Sequence, residues 1–349
     1  MLNPAAFDTV IDGKKVHLFT LKNNYLTVDL TNYGARVVRL IVPDKNGKLT
    51  DVSIGFDSIQ SYTESGETYF GSVVGRYANR ISNGTFMLEG KTHTLSKNIG
   101  TDHLHGGHKS FSSVVWDAFQ EDDTTIAMHY FSKDGEEGYP GNMHIKVVYS
   151  LVENALQIHV EATTDATTII NVTNHTFFNL NGEGSGNIEG HLLQIAAKKF
   201  TPMNASMIPN GELKNVEGTV FDFQTTRTIG AHINDTEDEQ IKTGRGYDHN
   251  FVLDKKENAF GKVAEAVGDL SGIVMEVFTT EPGMQLYTGN FMDGSHILKC
   301  GARDEFRTAF CLETQHFPDS PNRPAFPTTV LKPGEVFRSK TAFVFGVKK

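Results

Sequence analysis

Two short segments place ionisable side chains inside otherwise uncharged, strand-like runs. They are Thr173-Asn174-His175-Thr176-Phe177-Phe178-Asn179-Leu180 and Cys311-Leu312-Glu313-Thr314-Gln315-His316-Phe317-Pro318. A single His in such a run is commonly a satisfied core residue. A single Glu is harder to place there, because stripping water from a carboxylate is costly unless a partner compensates. An imidazole and a carboxylate meeting across a cavity would form an acid–base pair, able to move protons on a bound molecule. In an extended chain Thr173, His175 and Phe177 share one face and Asn174 and Thr176 the other; Cys311, Glu313 and Gln315 share a face of the second run. Pro318, Pro321 and Pro324 end regular structure soon afterwards.

Three further segments offer polar chemistry. In Gly75-Arg76-Tyr77-Ala78-Asn79-Arg80-Ile81, alternation puts Arg76, Ala78 and Arg80 on one face. Neighbouring arginines repel unless each meets an anion, a carboxylate or a hydroxylated ligand; the plainer reading is surface charge on an edge strand. The segment lacks the Gly spacing and Lys-Ser/Thr of a phosphate loop. His103-Leu104-His105-Gly106-Gly107-His108 suggests a metal, but ligation needs three or four convergent donors, and the Glu that would follow in a β-barrel His-x-His site is missing. Gly106-Gly107 would let backbone approach a ligand closely, which favours His105 at a pocket rim. In Gly246-Tyr247-Asp248-His249-Asn250-Phe251, Asp248 stands where a loop becomes an apolar strand, as a turn former or as a polar ligand contact.

The elements that must hold these residues read as β throughout. Leu26, Val28 and Leu30 alternate in residues 25–30. Residues 144–151 and 156–162 alternate on either side of Val152-Glu153-Asn154 and predict a hairpin. Phe86 to Leu95 predicts another around Glu89-Gly90-Lys91, and residues 273–278 and 284–291 a third around Glu281-Pro282-Gly283. One short polar helix is expected within Ile229–Ile241. Close-spaced strands with Gly turns predict an all-β fold, a large antiparallel β-sandwich, as a single domain over 1–349.

Composition narrows the classes. The 349 residues are 38% hydrophobic and carry a net charge of −10, which argues against a nucleic-acid partner. No run approaches the ~18 apolar residues of a membrane helix. Met1 to Val16 lacks a signal-peptide pattern. The two cysteines, Cys300 and Cys311, fit free thiols and a cytoplasmic location.

Asn-Arg-Ile at 79–81, Leu-His-Gly-Gly at 104–107, Asp-Gly-Glu-Glu-Gly-Tyr-Pro-Gly at 134–141 and the His175 segment together resemble the aldose 1-epimerase, or galactose mutarotase, family. Tyr-Asp-His-Asn-Phe at 247–251, Thr-Gly-Asn-Phe at 288–291 and Cys-Leu-Glu-Thr-Gln at 311–315 extend the resemblance over nearly the whole chain. It implies a supersandwich fold and interconversion of the α and β anomers of free aldohexoses such as galactose and glucose. By that resemblance Glu313 is the general base at the anomeric hydroxyl and His175 the general acid at the ring oxygen. Asn79, Arg80, His105, Thr176, Phe177, Asp248 and Gln285 are then sugar contacts. Some family members have Tyr where Phe177 stands, so stacking rather than a hydroxyl contact is expected there. The pair suffices without metal or cofactor. The partner is a small-molecule monosaccharide, with no nucleic acid and no membrane, and the expected assembly is a monomer or weak homodimer.

Three other readings share these residues. A glycoside hydrolase could use Glu313 and Asp248 as its two carboxylates. A lectin-like module would need no acid–base pair, and its usual indole platform is limited to Trp116. A hexose-6-phosphate epimerase would need extra basic residues at the pocket mouth.

Overall fold

The computed structural model describes residues 2–348, and strands dominate it. The largest sheet has nine antiparallel strands. From one edge they are Asp117–Gln120, Thr125–Ser132, Met143–Val152, Ala155–Thr164, Phe337–Val347, Ile273–Thr279, Gly261–Val267, Leu192–Ile195 and Arg227–Thr228. A five-stranded sheet runs Lys214–Asn215, Ala197–Phe200, Asp248–Leu253, Gly283–Tyr287, Cys311–Gln315. A four-stranded sheet runs Leu18–Lys22, Thr27–Thr31, Arg36–Pro43, Leu49–Asp51. One contiguous apolar core draws on all three: Val28 and Leu40, Val147 and Ile158, Phe251 and Leu286 belong to it. Alternation explains why. Met143–Val152 and Gly283–Tyr287 each send every second side chain inward, and only the first turns the rest towards solvent.

The hairpin of Met143–Val152 with Ala155–Thr164 forms as the periodicity predicts, and so does Thr85–Leu88 with Lys91–Thr94. The third expected hairpin does not. Ile273–Thr279 pairs with Gly261–Val267 and Phe337–Val347, whereas Gly283–Tyr287 pairs with Asp248–Leu253 and Cys311–Gln315. Glu281-Pro282 therefore crosses from one sheet to the other. Buried Glu281 is held there by His316 Nδ1 at 2.7 Å, and the Pro282 carbonyl accepts from Leu253 N at 3.0 Å. The expected helix is displaced: Ile229–Ala231 is a 3-10 turn, and the α-helix is Glu239–Gly244, capped by the Asp238 carboxylate. A second helix, Ile59–Glu64, was not expected; Ser58 caps it and Ile59 and Tyr62 anchor it.

Candidate active site

The register of the five-stranded sheet builds one wall of the site. Asn250 pairs with Gln285 and Gln285 with Glu313; two residues along, Asp248 pairs with Tyr287 and Tyr287 with Cys311. Period two turns all six side chains to the same face. Thr173–Asn174 pairs with Val73–Val74, and the pairing continues as His175 N donates to Ser72 O at 2.8 Å and Gly71 N to His175 O at 3.0 Å. This ladder carries His175 across that face, where its Nε2 lies 3.5 Å from Glu313 Oε1. Both side chains are almost fully buried. Cys311 Sγ lies 3.5 Å from His175 Nδ1.

Arg80–Ile81 pairs with His103–Leu104 to form the opposite wall. Asn79 and His105 follow this pairing with left-handed φ of +67° and +52°. Such conformations cost about 1–3 kcal/mol each and persist where surrounding contacts over-determine them. Here the contacts are reciprocal: His105 N donates to Asn79 O at 3.1 Å, and Asn79 N donates to His105 Nδ1 at 3.1 Å. With Nδ1 occupied as acceptor, neutral His105 carries its proton on Nε2. Gly106 does not serve a ligand, contrary to expectation: a Cβ there would lie 1.8 Å from Gly75 O, so the glycine permits two backbones to touch.

Between the walls lies a cavity of about 340 Å³, lined by His175, Glu313, Asn79, Arg80, His105 and Asp248, with Phe177, Glu67, Tyr69, Ile99, Leu104, Tyr287, Phe291 and Met207 completing it. Gln285 reaches the site through Asp248, to which its Nε2 donates at 2.6 Å. Of the expected contacts the cavity wall does not include Gln285 and Thr176. The Thr176 hydroxyl donates to Asn174 Oδ1 at 2.5 Å, as befits residues on the opposite face of the run from His175. Arg76 also departs from expectation. It is neither at the surface nor at the site, and donates to the carbonyls of Pro140, Gly141, Ser132 and Lys133. Residues 76–79 leave the strand, which breaks the alternation that would have placed it beside Arg80. His103 is saturated by Ser96 O and Tyr139 Oη, and His108 is exposed.

Burial sets the electrostatics. The Glu313 carboxyl is pushed well above its usual range by burial and by the nearby charge of Asp248, with Arg80 opposing. Burial also raises Asp248. His175 is lowered to about 3, chiefly by burial, and His105 is lowered well below the usual imidazole value by burial, His175 and Arg80. Glu313 Oε2 has no protein partner among the described residues, so one carboxylate oxygen is left for a ligand.

His105, His175 and Glu313 offer donor atoms within 4.8 Å of one another, a spacing suited to a metal. The His105 tautomer argues for a different use. Its Nε2 presents a proton, and freeing that nitrogen's lone pair would set a Nδ1 proton against the Asn79 N–H. The donor set therefore fits hydroxyl groups better than a cation. Exhaustive chelation is expected to leave catalysis unchanged; a loss restored by one divalent ion would reverse this reading.

Glu67, Tyr69, Tyr287, Phe291 and Met207 were not found from sequence. Tyr287 shares the alternation that presents Gln285 and could have been found that way. The others lie outside strands, where no period marks them.

A family model for aldose 1-epimerase matches residues 17–344. A galactose mutarotase from Bos taurus is 42% identical over 341 residues, covering 97% of each chain. An aldose 1-epimerase from Escherichia coli K12 is 35% identical over 338 residues, covering 96% of each. Among solved structures, a galactose 1-epimerase from Lactobacillus acidophilus is 29% identical, with a TM-score of 0.85 over 98% of this chain and 97% of that one. An aldose epimerase homologue from C. elegans is 28% identical, with a TM-score of 0.87 over 96% and 100%. On sequence and on fold alike, the chain belongs to the aldose 1-epimerase family.

Proposed function

We propose that the protein is an aldose 1-epimerase that interconverts the anomers of free aldohexoses such as galactose and glucose, using Glu313 and His175. The observation that carries this reading is the 3.5 Å approach of His175 Nε2 to Glu313 Oε1 inside a monosaccharide-sized cavity. Glu313 removes the proton of the anomeric hydroxyl while His175 gives a proton to the ring oxygen. The C1–O5 electron pair leaves with the ring oxygen, and the carbonyl of the open aldose forms. Rotation about C1–C2 and closure with the proton roles reversed give the other anomer and regenerate both groups. An acid and a base of this kind each contribute about 10²–10⁴-fold, or about 3–5 kcal/mol of barrier. Asp248 and Gln285 accept and donate to sugar hydroxyls, and His105 Nε2 and Asn79 do so from the facing wall. Phe177 offers a ring rather than a hydroxyl.

The experiment is polarimetry on freshly dissolved α-glucose and α-galactose. The reading requires the approach to equilibrium rotation to quicken in proportion to protein concentration, and fails if it keeps the buffer rate.

The charge of the lining bears on the phosphorylated alternative. Its carboxyl groups are Glu67, Asp248 and Glu313, against the single cation Arg80. A phosphate dianion would have only that one cation to pair with in a partly desolvated site, and burying charge without partners is costly. Hexose 6-phosphates are therefore expected to show kcat/KM at least ~10-fold below the free hexoses. Equal efficiency would mean that the phosphate lies outside the cavity.

A further inference from the structure

The segment Glu67–Ser72 is half-buried to buried, and its hydrogen bonds cluster around Tyr69. Arg36 is fully buried without a carboxylate partner among the described residues. Its guanidinium donates instead to the carbonyls of Thr68 (2.9 Å), Phe70 (2.5 Å) and Ser112 (3.0 Å) and lies 4.5 Å over the Tyr62 ring. Thr68 and Phe70 flank Tyr69. The Tyr69 N–H donates to Glu67 Oε1 at 2.6 Å, and its carbonyl accepts from Ser72 N at 3.0 Å and Ser72 Oγ at 3.1 Å. Just beyond, Gly71 has φ of +70°, and a Cβ there would lie 1.9 Å from Val37 O. A buried cation bonded only to carbonyls is expensive, and here both terminal nitrogens are bonded while Nε has no partner among the described residues. This one holds the carbonyl of the residue on each side of Tyr69, and Ser72 holds the carbonyl of Tyr69 itself.

What Tyr69 touches gives the constraint a purpose. Its ring centroid is 5.7 Å from that of His175, with the planes 18° apart, and 4.7 Å from that of His105. Phe177 is a second near-parallel neighbour of His175, at 4.9 Å and 21°. The Tyr69 hydroxyl makes no hydrogen bond among the described residues, and its ring is what meets the two imidazoles. An aromatic face beside an imidazole restricts its rotation and favours its cationic form.

We infer that Tyr69, fixed by Arg36 and Glu67, is a positioning residue that holds the His175 and His105 rings in the orientation from which they meet the sugar. This rests on the epimerase reading, which gives the two histidines their roles. The inference also accounts for Arg36 and Glu67, which no step of the chemistry uses.

The decisive comparison is Tyr69→Phe with Tyr69→Leu, by steady-state mutarotation and by NMR titration of the histidine ring nitrogens. Tyr69→Phe keeps the face and should stay within about twofold of wild type in kcat. Tyr69→Leu should lower kcat about tenfold, within the range of an aromatic–cation contact converted to rate, and change KM less than threefold. It should also move the His175 titration to lower pH. The inference is overturned if Tyr69→Leu keeps kcat, if it changes KM alone, or if Tyr69→Phe is as impaired as Tyr69→Leu. The last result would make the hydroxyl a sugar contact. If wild type fails to speed mutarotation, the epimerase reading falls. The His175 titration of Tyr69→Leu then still decides, without any activity, whether Tyr69 acts on that ring.

Discussion

Glu313→Gln is expected to fold normally and to lose about 10²–10⁴-fold in kcat. Glutamine keeps the shape and the hydrogen-bonding reach of the side chain but cannot take a proton. The structure adds a stability signature. Burial and Asp248 raise the folded-state pKa of Glu313 above its ordinary value of 4.5. A carboxyl shifted in that direction favours the fold while protonated, and that contribution is lost as pH rises through the folded pKa. Removing the ionisable group should therefore leave the thermal midpoint of the variant equal to or above that of wild type at alkaline pH. The result against Glu313 as base would be a variant retaining more than about a tenth of wild-type kcat.

The second large effect separates the two histidines. His175→Asn should lower kcat by about 10²–10⁴-fold, because it removes the proposed acid at the ring oxygen. His105→Asn should raise KM more than it lowers kcat, because His105 presents a fixed Nε2 proton to the sugar. Steady-state kinetics with galactose distinguishes them, and the reverse pattern would transfer the acid role to His105.

The dependence on pH follows from the same burial. A simple assignment gives the acidic limb of the kcat/KM profile to Glu313 and the basic limb to His175. Burial inverts that order, raising Glu313 and lowering His175 to about 3. Across the intermediate pH range the pair holds one proton, which rests mainly on Glu313. Catalysis needs the same proton count with the proton on His175. The profile is still bell-shaped, but its limbs belong to the pair. Sugar hydroxyls that solvate Glu313, and aromatic faces beside His175, favour the productive arrangement. In His175→Asn the residual rate should rise with pH through a value above 4.5, since Glu313 must ionise before it can act.

Much of this site was legible because it is written in alternation. Cys311 and Glu313 face one way because strand residues two apart do, and the same rule turned Thr176 away from His175; that Gln285 and Asp248 join that face depends on strand register. Motif resemblance supplied roles that spacing alone left open. Where the chain left its strands, the sequence was mute. Arg76 looked paired with Arg80 until residues 76–79 proved to be irregular. The crossing at Glu281-Pro282 reads locally as a hairpin turn, because nothing in three residues says that the flanking strands belong to different sheets. Tyr69 depends on Arg36, thirty-odd residues away, reaching two carbonyls whose position only the folded chain defines.

The central claim is that one His–Glu pair opens and closes the ring of a free sugar. Equilibrium exchange NMR of the anomeric protons tests it most directly, with galactose and methyl galactoside examined side by side. Wild type should produce α–β exchange peaks with galactose in proportion to its concentration and leave the methyl galactoside unchanged, since that compound has no anomeric hydroxyl for Glu313 to deprotonate. Absence of exchange with galactose, or release of methanol from the galactoside, would contradict the account.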